Sequence, residues 1–383
     1  MEFNKKFSGI IPELSVSNNS SNECGIGATA VWANKLWFIT YPSHAPEGSD
    51  DKLYSLDKNL NMNVYPQSVG GTHAGRMIHQ ESNQLIIGPY FINKAGEVRV
   101  INPEKMPGRL TAIMRHLKDP ENKVYFYGME GEFYEADVNT LKVKNIKKPD
   151  LPGTHGKGGY TSQNRIVISH NGQGGCLAEW DGKNWNIVDE NKYTEVTGPG
   201  GINAHQENDI LWAVGWDKRS VILKLLENEE WVTYRLPKGS YTHDADHGWY
   251  TEWPRIRKIS DKRLLLDMHG ILYEFPRNFK KQNISGINPL ATHLKMIVDF
   301  TEWNNQLVMG CNDASEMQNP LVGTPQSNFW FTSLSEIKKL PQPIAWGGPW
   351  VKDKIQSGIY SEPFHFAGYE KKILHIKNDG EKN

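Results

Sequence analysis

One two-strand phrase recurs along this chain at a spacing of roughly 35 to 50 residues, and it leaves few folds open. Residues 25–33 turn at Asn34 into 35–41, 74–79 turn at Ser82-Asn83 into 84–87, and 109–116 turn at 119–122 into 123–127. The phrase returns at 158–162 with 165–169, at 201–204 with 210–214, at 250–258 with 263–268 and at 293–300 with 306–309. Between the phrases lie one or two further strands, such as Leu177 to Trp180, which ends in Trp180-Asp181-Gly182, and Ile271 to Pro276. No window sustains the 3.6-residue period of a helix. The pattern predicts an all-β protein, a seven-bladed β-propeller of four-stranded antiparallel blades, as one domain over residues 1–383. A last hairpin, 364–368 with 372–376, keeps eight blades open. It is placed to complete a blade with a strand from the N-terminal extension 1–23, whose apolar piece spans 7–16.

Two of the units are introduced by the same tripeptide. Gly71-Thr72-His73-Ala74-Gly75-Arg76-Met77 is echoed by Gly153-Thr154-His155-Gly156-Lys157-Gly158-Gly159-Tyr160. Glycines there let the backbone adopt positive φ or pass close to another strand.

Composition limits the partners. A net charge of -1 over 383 residues gives no general attraction to nucleic acid or to a membrane surface, so any anionic partner must be met by a local cluster. Cys24, Cys176 and Cys311 lack metal or disulfide spacing and read as buried small residues. No apolar run reaches the length of a membrane span. Residues 1–20 lack a signal-peptide core, so a native Met1 predicts a cytoplasmic protein, and a chain trimmed of a leader predicts a secreted or periplasmic one.

The propeller reading gives the histidines a geography. In a four-stranded blade, the loop entering the innermost strand and the loop between strands two and three open on one face; the hairpin joining strands one and two opens on the other. Eight of the 13 histidines fall on the first face: His44, His73, His155, His170, His243, His247, His269 and His293. Tyr90, Arg109, Tyr160, Asn171, Trp216, Asp217, Asp244, Trp249, Arg255, Asn312, Asp313, Trp346 and Trp350 join them, whereas His79, His116 and His205 fall on the other side. Flat rings with forked donors suit a sugar carrying a carboxylate. His243-Asp244-Ala245-Asp246-His247 has the residue types of a metal site, although alternate residues on a loop more often form a polar turn.

Several segments resemble the seven-bladed propeller group of carbohydrate-active enzymes. They are Gly71 to His79 with Gln84 to Tyr90, His155 to Thr161, His247 to Arg257, and Gly323 to Phe331 with Trp346-Gly347-Gly348-Pro349-Trp350. The group contains rhamnose-glucuronate lyases, ulvan lyases and α-L-rhamnosidases, and the resemblance covers residues 25 to 377. It implies seven blades and a partner that is an acidic oligosaccharide or polysaccharide with rhamnose α-1,4-linked to a uronic acid. It also admits a central structural calcium held by oxygen atoms, with no ligands named, and no organic cofactor. Carried over from the lyases, the catalytic residues are His73 and Tyr160. Gly88-Pro89-Tyr90 stands where a second lyase histidine is expected, and Asn171-Gly172-Gln173 where ulvan lyases have an arginine, which argues against ulvan itself. For a rhamnosidase, the corresponding histidine lies early in the chain on the opposite face, where Cys24 stands close to the expected position.

The residue chemistry is compatible with elimination. A lyase must neutralise the uronate carboxylate, take the C5 proton and release the sugar on O4. A histidine near its ordinary pKa of about 6.5 suits the proton transfer. This reading assigns His73 and Tyr160 as the base and acid, with His155, Arg109, Tyr90, His170, His44, His247 and Trp249 binding substrate. Hydrolysis instead wants two carboxylates about 5 to 10 Å apart, and Asp217, Asp244, Asp246 and Asp313 show no pairing in the sequence. Three readings stay open: a lyase on the rhamnosyl-glucuronate linkage, an α-L-rhamnosidase on the same linkage, and a non-catalytic binding propeller.

Overall fold

Each blade begins with a strand that lines a central channel and is followed by three more toward the rim. The computed structural model describes residues 14–18, 25–41, 52–66, 75–153, 155–203, 209–239, 253–260, 263–268, 270–293, 295–312 and 326–377. Seven four-stranded antiparallel sheets are present, so the protein is a seven-bladed β-propeller. The inner strands of blades 1 to 7 are Gly25–Trp32, Arg76–His79, Leu110–Arg115, Gly156–Ser162, Lys192–Thr197, Arg255–Ser260 and Met296–Trp303.

Local chemistry sets the hairpins. The inner hairpins of blades 1, 4 and 7 turn on residue pairs with both φ angles positive: Ala33 and Asn34 at 48° and 60°, Gln163 and Asn164 at 50° and 58°, Asn304 and Asn305 at 50° and 60°. That is the type I′ geometry whose twist matches the strands, and asparagine tolerates it better than most residues. Inner strands also need glycine where neighbouring blades converge. A Cβ on Gly75 would lie 2.6 Å from the Leu110 carbonyl oxygen, and one on Gly158 would lie 2.4 Å from that of Thr194.

The core sits between blades, in layers around the ring. Trp37 and Ile39 of blade 1 meet Leu85, Ile87 and Tyr90 of blade 2. Blade 6 meets blade 7 through Leu265, Leu272, Ile297, Phe300 and Met309. The ring closes without a covalent link. Strand Leu14–Asn18 pairs antiparallel with Gln326–Thr332 as the outermost strand of blade 7, and Val16, Val308 and Phe329 pack on Ile26, Leu36 and Phe38 of blade 1.

Two expectations are corrected. The strand expected over 201–204 is not an inner strand in its described part: Gly201–Asn203 is a 3₁₀ turn, and the inner strand of blade 5 is Lys192–Thr197. Gly198-Pro199-Gly200-Gly201 breaks the chain there, because proline lacks the N–H that a ladder needs. The hairpin 364–368 with 372–376 does not form, and there is no eighth four-stranded sheet among the described residues. Blade 7 already takes its fourth strand from Leu14–Asn18, so this segment is not needed to close the ring. It lies instead along the rim, where Ala345–Trp346 pairs with Lys238–Gly239 and Phe364 bridges Arg235. The described helix, Leu334–Ile337, is capped by Ser333, and no helix among the described residues is long and apolar enough to cross a membrane. Cys176 and Cys311 are buried, as read from the sequence, and Cys24 lies outside the described residues.

Phe38 stacks on Tyr54 at 5.1 Å and meets Phe329 edge-on at 4.8 Å, across the closing interface. Phe38→Ala is expected to destabilise the protein by about 3–5 kcal/mol, read as a shift of the urea midpoint without a large change in slope.

Candidate functional site

The channel is crossed at mid-height by a buried charge network. Asp299, on the inner strand of blade 7, accepts hydrogen bonds from the Thr29 N–H at 2.7 Å and the Thr29 hydroxyl at 3.1 Å. It also accepts from Arg76 Nε at 2.9 Å and Nη2 at 3.2 Å, and from Arg257 Nε at 2.7 Å. Arg257 Nη1 also donates to Glu195, whose other oxygen lies 3.7 Å from Arg255 Nη1. Two carboxylates and three guanidiniums thus tie together blades 1, 2, 5, 6 and 7. Burial works to raise the Asp299 pKa, but Arg76, Arg257, Arg255 and the Thr29 N–H outweigh it and hold the carboxyl well below the usual range. Burial draws Arg76 down to about 10, against the attraction of Asp299 and with the repulsion of Arg257.

Toward the first face the cations continue. Lys157 Nζ sits 4.7 Å from the centre of the Trp253 ring, and the Arg255 guanidinium lies 5.8 Å from the same ring. All three residues are buried. Toward the hairpin face the channel opens into a cavity of about 290 Å³ whose lining includes Arg76, Tyr160, Glu195, Asn203, Arg257, Arg277 and Glu302.

The residues expected to form one site are dispersed. His155 and Arg109 do stand at the first-face ends of their inner strands, His155 with φ +65° and Arg109 paired to Glu130. Tyr160 does not join them. It is the fifth residue of Gly156–Ser162, nearer the hairpin face, packed in the core of blades 4 and 5. Its hydroxyl lies close enough to Asp209 to feel its charge, although no hydrogen bond of normal geometry joins them. Burial, with Asp209 adding to it, lifts the phenol well above its ordinary pKa, so it stays protonated at neutral pH. Asp209 is itself pushed up by burial, against the Gly200 N–H, Arg277 and Tyr160.

Two further expected ligands are structural. His170 Nε2 meets the Tyr127 hydroxyl at 2.7 Å and its Nδ1 meets the Pro152 carbonyl oxygen at 3.0 Å, so both ring nitrogens are engaged, and burial draws its pKa down. Tyr90 is fully buried between blades 1 and 2. Asp217 accepts from Arg219 and Arg235 at 2.9 to 3.1 Å, which fixes the rim of blade 5 and leaves it no catalytic partner. His73, His44, His247 and Trp249 lie outside the described residues, as do Asp244, Asp246 and Asp313.

What sequence reasoning missed is the network itself: Arg76, Glu195, Arg257 and Asp299, with Lys157 and Trp253 above. The available signal was charge inside inner strands whose neighbours are apolar, since a channel-facing charge needs an opposite one across the ring. The network does not fit a calcium ion, because the Asp299 and Glu195 oxygens are already met by guanidiniums. Among the described residues no group of three His, Cys, Asp or Glu side chains gathers to hold a metal. No family model and no curated protein matches this chain.

Asp299→Asn takes from Arg76 its hydrogen-bonded counter-charge and leaves Arg257 with Glu195 alone, and is expected to cost about 3–5 kcal/mol at neutral pH. The folded pKa of Asp299 is depressed, so its contribution is complete above the ordinary carboxylate pKa of about 3.9 and is lost as pH falls through the folded value. The stability gap between wild type and variant, followed by urea unfolding from pH 7 downward, should therefore narrow below about pH 4.

Proposed function

We propose that this propeller binds the carboxylate of an acidic sugar at the first-face end of its channel and cleaves a rhamnosyl-α-1,4-glucuronate linkage by β-elimination. The observation that carries the reading is the column of buried cations, Lys157 and Arg255 on the Trp253 ring above Arg76 and Arg257. A carboxylate held there has its charge offset, which acidifies the C5 proton, while the indole offers an apolar surface to a pyranose. His73, three positions ahead of Arg76 in the sequence, takes the proton. The C5–H electrons form the C4–C5 double bond, the C4–O4 bond breaks, and the protonated His73, on the same ring face as O4, returns the proton to the departing rhamnose oxygen. Tyr160 then supports the channel wall and is not the acid.

A second reading rests on the cavity at the other end. There Tyr160 and Glu302 are among the lining residues and Asp209, its pKa raised by burial, is close to Tyr160; a protonated acid and a carboxylate are what hydrolysis would use.

Incubation with a rhamnosyl-α-1,4-glucuronate disaccharide separates the two. Elimination yields an unsaturated uronate absorbing in the ultraviolet, lost in His73→Ala and reduced roughly a hundredfold or more in Arg255→Ala. Free rhamnose with a saturated glucuronate, lost instead in Asp209→Asn, would overturn the lyase reading in favour of hydrolysis.

A further inference from the structure

A second cavity, of about 390 Å³, lies between the rim segment and the first-face end of blade 5. The segment is firmly seated. The Arg235 N–H donates to the Pro363 carbonyl at 2.9 Å, the His365 N–H donates to the Arg235 carbonyl at 2.8 Å, and Arg235 also pairs with Glu362. Trp346, Phe364, Phe366 and Tyr369 give the cavity aromatic walls, and Lys372 stands 5.6 Å from the Phe366 ring at its edge.

Its lining combines the acceptors of His365 and Tyr369 with Gln342, Glu370, Lys371 and Lys372, two ammonium groups against one carboxylate. The Tyr273 hydroxyl donates to the Pro237 carbonyl at 2.8 Å, so in its 3.0 Å bond with Tyr369 the Tyr369 hydroxyl is the donor, which leaves lone pairs on the Tyr369 oxygen. His365 Nε2 is buried with no hydrogen-bond partner. Burial draws the His365 pKa down, against the Ala367 carbonyl and with Lys372 adding to it, so the ring is neutral at neutral pH. A buried polar atom left without a partner is costly, and His365 lines a cavity large enough for a small ligand.

We propose that this cavity is a second carbohydrate site, which takes one pyranose ring of an acidic sugar: ring C–H groups on the aromatic walls, hydroxyl donors to His365 Nε2 and Tyr369 Oη, and a carboxylate toward the ammonium groups of Lys371 and Lys372. The choice of an acidic sugar follows the proposed activity; the aromatic walls and acceptors stand without it. Because the site is on the rim, remote from the channel, it would hold a polymer and leave the chemistry of the bond untouched.

Saturation-transfer NMR with methyl glucuronide, together with retardation in gels containing gum arabic, tests this. His365→Leu and Phe366→Ala are each expected to weaken binding about tenfold, the loss of one buried hydrogen bond or one aromatic wall, with melting temperature held near wild type. Unchanged binding in both variants, no sugar binding by the wild type, or binding of indole but not of the glucuronide would each overturn the inference. Ultraviolet product formation from the disaccharide is read separately. Loss of that activity with sugar retention intact would sink the lyase proposal and leave the rim site standing.

Discussion

A carboxylate taken out of water in the middle of a protein must find opposite charge or give up its proton, and Asp299 finds it in two guanidiniums from different blades. That requirement disciplines the channel. Arg76 and Arg257 must reach the same carboxylate, Glu195 must answer the charge of Arg257 that Asp299 leaves over, and Thr29 must present both N–H and hydroxyl to the same oxygen. The blade interfaces are largely apolar, and the attraction that holds them is non-directional. The charge network has one geometry, and it fixes the angular setting of five of the inner strands.

The same network divides the channel chemically. Above it the side chains are cationic and aromatic; below it are a buried acid, an undissociated phenol and a mixed polar mouth. A propeller of this kind offers two separate environments along one axis, and an anion and a neutral sugar would choose opposite ends.

The hairpins were the most legible part of the fold, because Asn34, Asn164 and Asn305 sit where the backbone must take positive φ and their strands alternate cleanly. Blade 5 was misread because the glycine-rich run 198–201 looks like the start of a strand, while Lys192-Tyr193-Thr194-Glu195-Val196-Thr197 carries charges that look like surface. The charges are there because the strand faces the channel network. The rim segment misled in the opposite sense: its apolar alternation is real, but strand formation needs a neighbouring edge, which a local pattern does not supply. Face assignment worked for His155, Arg109 and Arg255, since strand direction alone decides it. It failed for Tyr160, because five residues along a strand carry a side chain most of the way across the ring. His170 shows a further limit, as its two partners, Tyr127 and the Pro152 carbonyl, come from separate parts of the chain.

The strand that closes the ring lies ahead of blade 1 in the sequence and pairs with one that follows six blades later. Leu14 waits for Phe329, and until residues 326–332 have been made the outer edge of blade 7 does not exist. A nascent chain therefore carries a run of finished hairpins with two open flanks, and the long loop between its ends is closed in one late, entropically costly step. During that interval the exposed sheet edges can pair with those of a neighbouring chain, so fidelity of assembly depends on how quickly the final blade follows the first.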